Sequence, residues 1–271
     1  SDIMTAMDDH ETDSEVWLAR TTPAATVVIF RKDPDGGAAK ILMVERNATL
    51  KFAGGATVFP GGKIDQQDIA LAQNLAASTD VEIADLAARI AAVRETLEET
   101  GLVIGVAGEV DGTTASEARR MLSTIGDLGP VLDAFGWSLR LDNLVPFARW
   151  WPKHRNERIF DTRFYLCDLG TGAVDIAVDA TENRHMFWAS AQEALTLAER
   201  GDIRVIFPTR RNLERLALFE TFEDVRAHAR ATPIDVISPF VAERDGERWL
   251  MIPDGLGYPV LGEALDKAQR A

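Results

Sequence analysis

The sequence predicts one elaborated α/β domain, and three observations carry that expectation. Two β-branched apolar runs, Ala24–Phe30 and Lys40–Val44, flank the turn cluster Lys32–Gly37, which is the pattern of a hairpin. A stretch over 66–100 carries apolar residues at helical spacing. Beyond it strand-like and helix-like segments alternate, with no internal repeat and no low-complexity linker. The 271 residues, 46% of them hydrophobic, suffice for a sizeable core.

Taken in order, residues 1–20 read as a polar, acidic leader, and 47–62 as a glycine-rich loop. Val103–Val110 is a candidate strand. Residues 113–140 read as a helical insertion broken at Gly126, at Gly129–Pro130 and at Gly136. Leu144–Trp151, Arg158–Asp168 and His185–Ala189 read as strands. Helices are expected over 190–200 and 208–229. Val236–Ala242 and Arg248–Ile252 flank Asp245-Gly246 as a late hairpin. This places a leader at 1–20, a main domain at 21–230 and a C-terminal extension at 231–271 packed on the same domain.

Charge and composition narrow the function classes. The net charge of −14 argues against a nucleic-acid coat and against a general membrane-surface binder, since both attract basic chains. The single cysteine, Cys167, excludes a disulfide framework and an all-cysteine zinc site, and suits a reducing cytoplasm. No apolar run approaches the ~20 residues of a membrane span. The N-terminus lacks the basic-then-apolar order of a signal peptide. The expectation is a cytoplasmic protein, monomer or homodimer, with no nucleic acid and no membrane as partner. Of the four histidines, His10, His154, His185 and His228, none has ligand-like spacing.

The sharpest local feature is Arg94-Glu95-Thr96-Leu97-Glu98-Glu99-Thr100-Gly101. At about 100° per residue, Leu86, Ile90, Val93 and Leu97 share one stripe of a helix. Glu95, Glu98 and Glu99 fall on the opposite side at neighbouring positions, and Arg94 and Glu98 are i, i+4 partners. Thr79 with Glu82 can cap the start, and Gly101 suits a left-handed cap at the end. Three carboxylates on one face can hold a hard divalent cation through oxygen, which relieves their mutual repulsion. An acidic solvent-facing surface gives the same pattern, so the helix alone does not decide.

Upstream lies Phe59-Pro60-Gly61-Gly62-Lys63, which by itself is a tight turn. In combination, the glycines and the carboxylate helix resemble the Nudix hydrolase box, G-x5-E-x7-R-E-U-x-E-E-x-G-U, where U is aliphatic. Gly62 opens it, and Arg94, Glu95, Glu98, Glu99 and Gly101 fill its second half. The sequence departs from the box in three ways. Asp68 stands where the box has its first glutamate, Thr96 replaces an aliphatic, and 25 residues stand where the box has seven. The extra 18 residues, about 69–86, are expected to extend the loop or lengthen the helix at its start, and they put the role of Asp68 in doubt.

The preceding segment is similar to the signature of the coenzyme A diphosphatase branch, with Arg46, Lys51 and Gly55 at its positions before Phe59-Pro60-Gly61-Gly62. The resemblance implies a Nudix α/β/α sandwich with a mixed sheet, carrying helical insertions and a C-terminal helical and hairpin extension. It implies Mg²⁺-dependent cleavage of a diphosphate linkage, with Mn²⁺ as the substitute cation. Glu95, Glu98, Glu99 and the Gly61 carbonyl would hold the metal. For coenzyme A or an acyl-coenzyme A the products would be phosphopantetheine and adenosine 3′,5′-bisphosphate. Arg46, Lys51, Gly61, Gly62 and Lys63 are the expected substrate-binding residues, with Lys153, His154, Arg155, Arg158 and Arg163 as further sources of positive charge. Arg94, Glu95, Glu98 and Glu99 are the expected catalytic group, and Glu182 is a second candidate for the general base. The alternatives are another nucleoside diphosphate linked to a different group, such as ADP-ribose, a dinucleotide or a nucleotide sugar, or a silent nucleotide-sensing module.

Overall fold

The structure is a computed structural model, and it describes residues 20–48, 54–75, 79–152, 159–169 and 186–270. Strand β1 (Thr21–Arg31) holds the first β-branched run, and β2 (Lys40–Glu45) the second. They pair antiparallel at Phe30–Ile41 across the expected turn. The glycine-rich segment then supplies two short strands. β3 (Thr57–Val58) pairs with β2, and β4 (Gly61–Lys63) returns to the N-terminal half of β1. Gly61 lies so close to β1 that a Cβ there would overlap the Ala25 carbonyl oxygen.

Two helices occupy 66–100: α1 (Gln66–Gln73) and α2 (Asp80–Thr100). The inserted residues therefore lengthen the carboxylate helix at its start, as one of the two expectations had it, and in place of an extended loop they complete a separate helix before it. The Thr79 hydroxyl accepts the Glu82 N–H at 3.2 Å, and Gly101 ends α2 at φ 77°. The Val103–Val110 run contributes only β5 (Val106–Ala107).

The region 113–140 forms α3 (Gly112–Ile125) and α4 (Leu128–Phe135), each closed by a left-handed glycine, Gly126 and Gly136. Gly129–Pro130 is not a break. Both sit in the first turn of α4, where proline has no helical N–H bond to lose. After β6 (Ser138–Leu139), which pairs with β5, and a 3₁₀ turn at Leu141–Asn143, the chain forms β7 (Val145–Trp150) and β8 (Ile159–Asp168).

β9 (Met186–Ala189) and α5 (Ala191–Glu199) follow the expected positions. The expected helix over 208–229 is two helices, α6 (Phe207–Leu216) and α7 (Phe222–Ala231). The chain turns between them because Thr221 caps the second, accepting the Asp224 N–H at 3.2 Å. Next come β10 (Val236–Ile237), the hairpin β11 (Phe240–Arg244) and β12 (Glu247–Met251), then β13 (Gly262–Ala264) and α8 (Leu265–Arg270). The hairpin turns on Asp245 and Gly246, both at positive φ.

The main sheet runs β10-β7-β8-β1-β2-β3, with β4 on β1 and β9 on β2. It is mixed, because β1 pairs parallel with β8 from Thr21–Ile159 to Phe30–Asp168. On one face Val27, Ile29 and Tyr165 meet Ile90, Val93 and Leu97 of α2, with α3 and α4 behind. On the other face Val28, Phe30, Phe147 and Trp150 meet α5, α6 and α7. The result is a helix–sheet–helix sandwich. Among the described residues no helix is long and apolar enough to cross a membrane.

The chain beyond 231 contributes Ile252, Leu256 and Tyr258 to that second core. The buried Tyr258 hydroxyl donates to Asn212 Oδ1 at 2.7 Å and accepts from Trp150 Nε1 at 3.1 Å. Its ring and that of Phe147 enclose the buried Arg215 guanidinium, which donates to the Phe147 carbonyl at 3.1 Å. Tyr258→Phe leaves two buried polar groups without that oxygen. It is expected to lower unfolding stability by about 1–3 kcal/mol, read from the midpoint of a denaturant melt.

Candidate active site

The site is built where α2 crosses β4. The stripe of Ile90, Val93 and Leu97 is buried, while Glu95, Glu98 and Glu99 lie on the half-exposed side of the same helix. Ala88, Ala91 and Ala92 are also fully buried on α2, so the helix sits low on the sheet. The Glu95 carboxylate rests directly over Gly62, and any side chain at 62 would overlap it.

Arg94, the first residue of the signature, is 2% exposed and holds the site together. Its Nε and Nη2 donate to the two carboxylate oxygens of Asp68 at 2.9 and 3.0 Å. Nη2 also donates to the Lys63 carbonyl at 3.0 Å and lies 3.4 Å from Asp65. Nη1 donates to Glu95 and to Glu98, each at 3.2 Å. One guanidinium therefore joins the glycine strand, the start of α1 and two carboxylates of α2.

This geometry settles what the inserted sequence left open about Asp68. It is 1% exposed in the first turn of α1 and accepts the Asp65 N–H at 2.8 Å as well as both arginine bonds. A fork-on-fork pair of this kind suits arginine and carboxylate. Asp68 acts on the site through Arg94, and the α1–α2 hairpin closes the 26-residue gap between them. A second brace sits earlier on α2. Asp85 accepts the Tyr165 hydroxyl at 2.7 Å and pairs with Arg89 at 3.0 Å. Arg89 in turn donates to the Leu141 and Leu144 carbonyls.

The electrostatics follow from burial. Burial lowers the Arg94 pKa, but the hydrogen bond and charge of Asp68, with Glu95 and Glu98, outweigh it and leave it raised. Burial pushes Glu95 up to about 7, against Arg94 and with Glu98. Glu98 is raised too, by burial first, with Arg94 opposing. Glu95 and Glu98 thus share a single Nη1, and Arg94 is already committed to Asp68.

An oxygen-only donor set with more negative charge than its one buried cation offsets suits a hard divalent cation. Glu95, Glu98 and Glu99, with the Gly61 carbonyl, would hold it. Among the described residues no three acidic, histidine or cysteine side chains are already gathered at metal-holding distance, because Glu95 and Glu98 turn onto Arg94.

The other expected residues divide. Arg46 leaves β2 with its N–H bonded to the Ala56 carbonyl and its carbonyl to the Gly55 N–H, which closes the glycine loop. Its Nε is buried and unpaired among the described residues. Lys63 pairs with Ala24, one position from the Gly62–Ala25 pair, so its side chain projects from the opposite face. Only its carbonyl reaches Arg94. Lys51, Glu182 and Lys153, His154, Arg155 and Arg158 lie outside the described residues. Cys167 is a buried core residue with its thiol pushed up to about 12 by burial.

The raised Glu95 pKa has a consequence for metal-free protein. A carboxyl that titrates near 7 when folded and near 4.5 when unfolded favours the folded state least above pH 7. That penalty is relieved as pH falls toward 4.5. Glu95→Gln is therefore expected to raise the melting temperature in chelator at pH 8, and the gain should vanish by pH 5.

Comparison with known proteins agrees with this geometry. Residues 20–125 match the model of the NUDIX domain. A putative nudix hydrolase 7 from Caenorhabditis elegans is 25% identical over 205 residues, 73% of this chain. The chain spans 64% of that relative's length. The crystal structure of a NUDIX hydrolase from Alicyclobacillus acidocaldarius matches with a TM-score of 0.61 at 27% identity, covering 76% of this chain and 96% of that one. The glycine strand, the buried arginine and the carboxylate helix all fall inside the segment that matches the NUDIX domain model.

Proposed function

We propose that the protein is a divalent-cation-dependent hydrolase of a diphosphate linkage, with coenzyme A or an acyl-coenzyme A as substrate. The products would be phosphopantetheine and adenosine 3′,5′-bisphosphate. The observation that carries the hydrolase reading is the Glu95 carboxylate seated over Gly62 and held, with Glu98, by the buried Arg94. The coenzyme A reading rests on the run from Arg46 to Gly62. It is supported by the loop itself, where Gly55 adopts φ 78° and bonds back to Arg46.

Each residue has a stated part. Glu98, Glu99, Glu95 and the Gly61 carbonyl hold Mg²⁺ or Mn²⁺. When bound, the cation would offset charge on the diphosphate and lower the pKa of a water, so that a carboxylate can take its proton as it attacks phosphorus near neutral pH. Arg94 fixes the directions of Glu95 and Glu98. Arg46 and Lys51 bind the anionic linkage from the glycine loop. Glu95 and Glu182 are the two candidates for taking the proton of the attacking water. Fewer than about three-fold lost in kcat for Glu182→Gln assigns that step to Glu95.

A panel of coenzyme A, dephospho-coenzyme A, ADP-ribose, NADH and dinucleotides, with and without Mg²⁺, tests the substrate. Coenzyme A is expected to be cleaved fastest and only with the cation. Preference for another diphosphate would move the assignment to that substrate, and no cleavage of any would favour a sensing module. Glu98→Gln and Glu99→Gln are each expected to lower kcat about 100-fold or more at saturating Mg²⁺ while the melting curve stays cooperative. Near-normal turnover in either would remove the metal-site assignment.

A further inference from the structure

The strand register places an arginine pair beside the carboxylate site. Gly62 pairs with Ala25, Ala25 with Arg163, and Arg163 with Arg149. These four residues form one row across β4, β1, β8 and β7. Directly opposed residues point to the same face, so both arginines project from the face that carries Glu95. At about 4.8 Å per strand, Arg163 lies roughly 10 Å from Gly62.

The path of α2 runs beside them. Asp85 holds the helix over Tyr165, two residues further along β8 than Arg163, and Glu95 brings it down on Gly62. The helix therefore crosses diagonally, and Arg163 lies toward the start of β8. The Val93 flank faces Leu144 and Gly105 across the core. The other flank carries the carboxylates.

The pair is electrostatically unbalanced. Like charges directly opposite on neighbouring strands cost stability. Arg149 is compensated, since Asp161 takes both its Nε and Nη2 at 2.8 and 2.7 Å, and it lies over the Trp151 ring. Among the described residues Arg163 has no hydrogen bond or ion pair, although it is only partly exposed. Its charge acts on the nearby Tyr165 hydroxyl, and among the described residues no carboxylate pairs with it.

We propose that Arg163, with Arg149 held beside it, is an anion subsite that receives a phosphomonoester of the substrate separate from the scissile diphosphate. This deepens the proposed function and rests on it for the identity of the diphosphate. It assigns Arg163 a different phosphate from the one bound at the glycine loop by Arg46. A nucleoside bearing a second phosphate is the chemical class that places one anion at each point.

The test separates this inference from the hydrolase reading because its first arm needs no turnover. Binding of adenosine 3′,5′-bisphosphate and of adenosine 5′-monophosphate is measured by calorimetry in metal-free protein. Wild type is expected to bind the bisphosphate at least about ten-fold tighter, the scale of one charge-assisted contact. Arg163→Gln should abolish that preference, and Arg163→Lys should keep part of it with the same melting temperature as Arg163→Gln. In turnover, Arg163→Gln should raise KM for coenzyme A about ten-fold with kcat little changed, and leave dephospho-coenzyme A unaffected. A preference that persists in Arg163→Gln, or wild type that binds both nucleotides equally or neither, overturns the proposal. A wild type that prefers the bisphosphate but cleaves no diphosphate overturns the hydrolase reading alone.

Discussion

The site depends on burying one arginine. Arg94 is among the most enclosed charges of the described residues, and such a charge is tolerated only with its hydrogen-bonding capacity met. Asp68 supplies a matched carboxylate, the Lys63 carbonyl takes another N–H, and Glu95 and Glu98 share the remaining edge. Removing one partner of such a buried pair costs about 3–5 kcal/mol, so this contact constrains both stability and geometry. It joins elements that would otherwise meet only through the sheet: the glycine strand, the inserted helix and the carboxylate helix. The carboxylates are consequently held in place rather than left to hang from an exposed helix.

The remainder of the architecture supports that contact. Gly61 lets β4 lie against β1, and Gly62 leaves room for Glu95. The alanines of α2 let the helix settle low on the sheet, and Asp85 and Arg89 fix its other end to Tyr165 and to the carbonyls before β7. The opposite face is closed by three helices and the C-terminal segment, pinned by Tyr258. Each face of the sheet thus has its own core, and the chemistry gathers at the start of β1, where β4 and β8 flank it.

Much of this was legible from local pattern. The stripe of Ile90, Val93 and Leu97, the Thr79 cap and the Gly101 terminus follow from helical periodicity and capping chemistry, and all three stand in the structure. The apolar runs at 24–30 and 40–44 predicted a hairpin for the same reason. What failed locally was ambiguous in its chemistry. The pattern over 208–229 stays apolar on one side through the turn, so only the cap at Thr221 could have divided it. The Gly129–Pro130 pair reads as a break unless the helix is known to start just before it. What could not be read was long-range. Asp68 and Arg94 are brought together by the α1–α2 hairpin, whose length hides the spacing. The Arg163 row exists only because β8 pairs parallel with β1, and no periodicity within either strand encodes that register. The face of Lys63 is hidden for the same reason, since it is set by pairing with Ala24.

The central claim is that Asp68, which touches neither cation nor substrate in this account, sets the cation site through Arg94. Calorimetric titration of Mn²⁺ into wild type and Asp68→Asn tests it most directly, with both proteins shown to be folded by their melting curves. The account predicts at least ten-fold weaker cation binding in Asp68→Asn, the range seen when a group that orients metal ligands is lost. Unchanged affinity in a folded Asp68→Asn protein would contradict it.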